Sequence, residues 1–150
     1  MSENSAVEIL IVEDTPEDLE LTLRALRKAK LSNRIQVARD GAEAIEFVFC
    51  EGRHAERQIG NVPKVILLDL KLPKIDGLEV LKRIKGDART KDIPVVVLTS
   101  SKEQKDVVES YRLGVNSYIV KPVNFEQFAT AVQELGMYWL LFNQPPQVEK

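Results

Sequence analysis

The sequence predicts an α/β fold: a doubly wound parallel sheet of five strands, ordered 2-1-3-4-5, with helices on both faces. Two observations predict it. Short apolar runs, of which Val65–Leu68 is the plainest, alternate five times with segments whose apolar residues recur at three- and four-residue spacing. Those runs are too continuously apolar for a strand with one wet face, and strands buried on both faces belong to parallel sheets. Right-handed crossovers would join them.

Taken in order, Glu8–Val12 is the first strand and ends in Glu13-Asp14. Thr15-Pro16 supplies an N-cap and a first-turn proline for a helix carrying Leu19, Leu23 and Leu26 on one face, with Glu17 and Asp18 facing its dipole. Ile35 and Val37 mark a short second strand. Asp40 and Glu43 form a capping-box pattern for the helix through Ala44, Ile45 and Val48, which Gly52 is expected to stop. A loop over 53–63 leads to the third strand, which ends at Asp69 and turns at Pro73 and Asp76-Gly77. Leu78, Leu81 and Ile84 carry the third helix, closed by Gly86. Pro94–Leu98 is the fourth strand, ending at Thr99. Ser101 with Gln104 reads as the cap of a helix containing Val107, Val108 and Tyr111, and Val115–Val120 as the fifth strand, ending at Lys121-Pro122. Asn124 with Gln127 caps the last helix, whose Phe125, Phe128, Val132, Leu135, Trp139 and Phe142 keep a helical spacing.

The 150 residues fit one domain, with a core over about 7–143 and short polar tails. A net charge of −2 gives no basic excess that would point to nucleic acid. No apolar stretch is long enough to span a membrane, and MSENSAVEIL does not read as a signal peptide, so a cytoplasmic location is expected. Cys50 is the one cysteine and cannot close an internal disulfide; it reads as an inert thiol. His54, the one histidine, reads as a solvated loop residue.

Four strands end in chemistry-bearing groups: Glu13-Asp14, Asp69, Thr99 and Lys121. A parallel sheet puts these ends on one edge, where open α/β sheets hold their ligands. Alone, Asp69 equally fits a turn-capping aspartate. Together, three carboxylates within a few ångströms repel, at roughly 4 kcal/mol per pair at about 4 Å and an effective dielectric near 20. Such a cluster suits a hard divalent cation, and few protein oxygens plus water describes Mg²⁺ better than Ca²⁺. With a lysine ammonium and a threonine hydroxyl beside it, a carboxylate can attack phosphorus and become an aspartyl phosphate.

On these residues, together with DLKLPKIDG from Asp69 to Gly77, Thr99-Ser100, Tyr118 and Lys121-Pro122, the sequence resembles the receiver domains of bacterial two-component response regulators, which share the flavodoxin-like fold. The resemblance runs from Val7 to Asn143. It implies that Asp69 accepts a phosphoryl group from a histidine kinase. It further implies that Glu13, Asp14, Asp69 and the backbone carbonyl of Lys71 bind Mg²⁺, that Lys121 contacts the phosphoryl group, and that Thr99 and Tyr118 are a switch pair. A cis Lys121–Pro122 bond is implied as well. The acidic pair is Glu-Asp where Asp-Asp is more frequent, which puts the metal geometry in doubt. The long second helix and loop, the LPKIDG turn and the ending Tyr138-Trp139-Leu140 look like stand-alone regulators that partner bacterial phytochromes.

Other readings are weaker. A haloacid-dehalogenase-type phosphatase would need an acid where Lys71 stands, and a flavodoxin-like FMN protein needs a phosphate loop that EDTPED would repel. A phosphorylation-independent receiver that only binds proteins is the remaining alternative. Tyr118 alone equally fits an ordinary strand tyrosine. With no effector module in view, the output would be another protein. The last helix, Asn124 to Phe142, would run roughly 28 Å at 1.5 Å per residue, beyond a strand of about 17–20 Å. Its overhanging Met137, Tyr138, Trp139, Leu141 and Phe142 either fold back on the domain or form, with the fourth helix, a homodimer face.

Overall fold

The computed structural model describes residues 7–28, 34–57 and 62–121, together with 124, 126, 127 and 130. Five parallel strands form one sheet in the order β2-β1-β3-β4-β5. They are β1 (Ile9–Val12), β2 (Ile35–Ala38), β3 (Val65–Leu68), β4 (Val95–Thr99) and β5 (Ser117–Val120). The connecting helices are α1 (Pro16–Lys28), α2 (Gly41–Phe49), α3 (Gly77–Lys85) and α4 (Gln104–Arg112).

Alternation along the strands divides the core in two. Leu10, Val12, Ile66, Leu68, Val95 and Val97 pack with Ile45, Phe47 and Val48 of α2 and Val80, Leu81 and Ile84 of α3. Ile9, Ile11, Val65, Leu67, Val96, Leu98 and Ile119 pack on the other side with Leu26, against which Leu19 and Leu23 also lie. Every residue of β1, β3 and β4 is buried, as strands covered on both faces must be. Helices therefore cover both faces, as the sequence predicts.

Local chemistry departs from expectation at three places. Helix α2 opens on Asp40, whose Oδ1 accepts the Glu43 N–H at 2.7 Å, but it ends at Cys50 in the left-handed conformation (φ 58°) and not at Gly52. Gly52 also has a positive φ, and begins a 3-10 turn over Gly52–His54. Helix α4 is capped by Glu103 without a side-chain bond, so Ser101 and Gln104 form no cap; the Ser101 hydroxyl is taken by Asp106 instead. The same helix leaves Val108 and Tyr111 exposed and buries Asp106 and Ser110. Asn124 Oδ1 does accept the Gln127 N–H at 2.8 Å. The rest of the expected last helix, its apolar overhang and the Lys121–Pro122 bond lie outside the described residues.

Two glycines let helix N-termini close on the segment that follows β3. A Cβ on Gly77 would lie 2.2 Å from the Asp69 carbonyl oxygen, and one on Gly41 would lie 1.8 Å from that of Ile75. Neither neighbour is a flexible side chain, so the backbone itself would have to give. Gly41→Ala and Gly77→Ala are each expected to lower the unfolding free energy in urea by about 1–3 kcal/mol. The exposed Glu56→Ala should change it by under about 0.5 kcal/mol.

Candidate functional site

The site lies at the carboxyl edge of the sheet. Registry between β1 and β3 pairs Val12 with Leu68, so the residues after each strand stand side by side. The Asp69 N–H donates to the Val12 carbonyl at 3.1 Å, and the Glu13 N–H to the Ala38 carbonyl at 2.9 Å. These bonds place two carboxylates where their strands end. Both are buried, Glu13 at 3 % exposure and Asp69 at 5 %. From the other side of the sheet, the Lys121 N–H donates to the Thr99 carbonyl at 2.9 Å and brings the lysine across the same edge.

The Lys121 ammonium sits within this pocket. Its Nζ lies 2.6 Å from Glu13 Oε1, 2.9 Å from Asp69 Oδ2 and 2.9 Å from Asp18 Oδ2. An ammonium has three donors, and three carboxylates match them. Burial alone would lower the Lys121 pKa, but the bonds to Glu13, Asp69 and Asp18 outweigh it and hold the ammonium above its ordinary range. Burial pushes the Glu13 carboxyl up to about 7; the Lys121 bond pulls it down and the neighbouring Asp69 charge adds to the rise. The lysine is therefore charged throughout the physiological range.

One carboxylate oxygen from each of Glu13, Asp14 and Asp69 can be chosen so that all three lie within 4.8 Å of one another. The donors are all oxygen and Asp14 is half-buried, a set that fits a small hard cation with room for water ligands. Asp69 Oδ1 also accepts the Lys71 N–H at 3.2 Å, which turns the chain immediately after the strand. Four carboxylates against one ammonium leave the pocket with excess negative charge.

The structure thus brings Glu13, Asp14, Asp69 and Lys121 together, with Thr99 joined through its backbone. Thr99 is fully buried, and its Oγ1 accepts the Ser101 N–H at 3.3 Å. Tyr118 is half-buried, and its hydroxyl donates to the Ser101 carbonyl at 3.0 Å. Asp18 was hidden behind its other use: in the first turn of α1 it also serves the helix dipole. The signal available was that α1 starts from the very edge where the cluster forms.

His54, read as a solvated loop residue, and Cys50, read as an inert thiol, are both more engaged than expected. His54 is not solvated; its ring stands edge-on to Phe47 with centroids 5.0 Å apart, and its Nε2 lies 3.7 Å from Glu43 Oε2. The cause is the 3-10 turn, which folds back on α2 as Arg53 pairs with Glu46 at 2.8 Å. Cys50 has the Arg57 guanidinium 3.5 Å from its sulfur, an electropositive neighbour the sequence did not signal. Neither residue is near the acidic pocket among the contacts described.

No helix of the described residues is long and apolar enough to cross a membrane. Residues 9–133 match the family model of the response regulator receiver domain. The response regulator Rcp1 of Synechocystis is 41% identical over 132 residues, covering 88% of this chain and 88% of that protein. The solved bacteriophytochrome response regulator RtBRR is 55% identical with a TM-score of 0.81, over 93% of this chain and 84% of that one. A Mn²⁺-bound form of Rcp1 superposes with a TM-score of 0.74 at 37% identity, over 96% of this chain and 99% of that one. The phosphorylated cyanobacterial phytochrome response regulator RcpA does so at 0.75 and 39%, over 95% of this chain and all of that one. An acidic hollow at the carboxyl edge of a 2-1-3-4-5 sheet, set in a chain matched by this family from its first strand onward, is the expected form of one protein class: this chain belongs to the response regulator receiver-domain family.

Proposed function

We propose that Asp69 accepts a phosphoryl group from a sensor histidine kinase, and that the chain signals through a phosphorylation-driven change of its protein-binding face. The observation that carries this reading is the buried Asp69 carboxylate, held 2.9 Å from the Lys121 ammonium inside a cluster of further carboxylates. Glu13, Asp14, Asp69 and the backbone carbonyl of Lys71 are the proposed ligands of Mg²⁺. When bound, the ion neutralises phosphoryl oxygens and orients the in-line attack. The relative whose structure holds Mn²⁺ supports a divalent ion here, and the phosphorylated relative supports the transfer.

The steps follow from the residues. A carboxylate oxygen of Asp69 bonds to phosphorus as the phosphorus–nitrogen bond of the donor phosphohistidine breaks, and the electron pair returns to the imidazole. The product acyl phosphate carries about 1.5 to 2 negative charges, spread over the phosphoryl oxygens, where the free carboxylate carried one. Lys121 passes from Asp69 Oδ2 to a phosphoryl oxygen, keeping its bonds to Glu13 and Asp18. The Thr99 hydroxyl, whose oxygen accepts the Ser101 N–H, turns its proton to another phosphoryl oxygen, and Tyr118 moves into the space released. This biases a two-state element and needs no new fold.

The proposed kinase is of the phytochrome class, supported by the likeness to RtBRR. The chain would act in the cytoplasm on a downstream protein target. Exposed Val108 and Tyr111 on α4 support a homodimer through the fourth- to fifth-helix face.

Phosphotransfer from a labelled phytochrome-type histidine kinase should label the wild type in Mg²⁺ and fail with Asp69→Asn or with chelator. Lys121→Ala should slow it by about 10²-fold or more. Labelling of Asp69→Asn at the wild-type rate would reject the assignment, and labelling only by kinases of another class would reject the phytochrome partner. Metal-free protein should also show the Glu13 signature. With the carboxyl at about 7 in the fold and near 4.5 unfolded, the native state binds the extra proton between those values. Stability should therefore fall as pH rises through that window. Glu13→Gln should remove this slope, read from melting temperatures across pH in chelator.

A further inference from the structure

Four hydrogen bonds converge on Ser101, just beyond β4. Its N–H donates to Thr99 Oγ1 at 3.3 Å and its carbonyl accepts from the Tyr118 hydroxyl at 3.0 Å. Its Oγ accepts the Glu103 N–H at 3.3 Å, and its own proton goes to Asp106 Oδ2 at 2.5 Å. Ser101 and Asp106 are each 7 % exposed. A carboxylate so buried is costly unless bonded, and a short bond to a serine together with the Lys71 ammonium at 4.0 Å offsets that cost. Lys71 belongs to the segment just past Asp69. One carboxylate on α4 thus faces both the segment after Asp69 and the loop to which Thr99 and Tyr118 are hydrogen-bonded.

The attachment of α4 at its first turn is polar: Asp106 is the buried side chain there, bonded to Ser101, while Val108 and Tyr111 further along stand in solvent. An apolar contact tolerates sliding, whereas a hydrogen bond is directional and is either made or lost. The geometry points to Asp106 as a positioning residue: held by the Ser101 hydroxyl, it forces α4 to follow the Thr99–Glu103 loop when that loop moves. This rests on the proposed phosphorylation of Asp69. As the Thr99 hydroxyl turns to the phosphoryl group, the Ser101 N–H is released from Thr99 Oγ1. The Ser101 carbonyl carries the Tyr118 acceptor with it. The Ser101–Asp106 bond then draws the first turn of α4 along; without it, the loop rearranges alone and the helix stays.

The test uses the full chain with beryllofluoride and Mg²⁺ as the phosphoryl stand-in, read by amide NMR. Shifts at Asp69 and Lys71 report occupancy, and shifts over residues 104–110 report transmission. Wild type should show both. Ser101→Ala should keep the first set and lose the second, and Ser101→Thr, which restores a hydroxyl, should recover it. Asp106→Ala should behave as Ser101→Ala does and serves if that variant fails to fold, whereas Asp106→Asn, which still accepts from Ser101, should keep the response. A full wild-type response over residues 104–110 in Ser101→Ala or Asp106→Ala would overturn the inference, as would wild type responding at Asp69 but not in α4. No response at Asp69 in wild type would overturn the phosphorylation reading itself, and this inference with it.

Discussion

The one constraint on which the rest depends is the placing of a single ammonium among carboxylates that would otherwise drive one another apart. Lys121 Nζ touches Glu13, Asp18 and Asp69, and two of those three acids are almost fully buried. Repulsion of several kcal/mol per pair would open the edge of the sheet if it were left unanswered. One lysine cannot neutralise four acids, and Glu13 registers it: burial first, and then the neighbouring Asp69 charge, push its carboxyl up to about 7. The pocket is thus left with net negative charge, the condition that the proposed divalent ion would answer.

That pocket is held by backbone as much as by charge. Gly41 and Gly77 let α2 and α3 close on the segment after Asp69, where any Cβ would strike a carbonyl. Lys74, in the same segment, adopts φ 69°, and its ammonium reaches Asp40 Oδ2 at 3.3 Å. A non-glycine residue keeps such a conformation only where its surroundings hold it. The segment after Asp69 is therefore closely packed on the α2 and α3 side. On the α4 side it meets the polar contact of Lys71 with Asp106.

Much of this was legible in the chain. The β3 run and its terminal aspartate fix an address, and the other strand ends supply partners of matching chemistry, so topology alone gathers Glu13, Asp14, Asp69, Thr99 and Lys121. Asp18, Ser101 and Asp106 were not legible as site residues, because each also satisfies a local rule. Asp18 suits a helix N-terminus, and Ser101 with Gln104 imitates a cap. Asp106 is an ordinary first-turn acid until tertiary packing buries it. The ending of α2 misled for a related reason: glycine is the cheaper left-handed residue, yet Cys50 adopts that conformation two positions earlier. The turn then folds His54 onto Phe47, a contact between positions whose sequence patterns do not announce it.

The central claim is that Lys121 and a divalent cation neutralise the same acids. It is tested most directly by the unfolding free energy of Lys121→Met against wild type, in chelator and in saturating Mg²⁺. In chelator the variant should lose about 3–5 kcal/mol, the cost of leaving buried acids uncompensated. In Mg²⁺ the gap should shrink by more than half, because the ion takes over the neutralisation and binds the variant without a competing ammonium. An equal loss under both conditions, or none under either, would contradict the account.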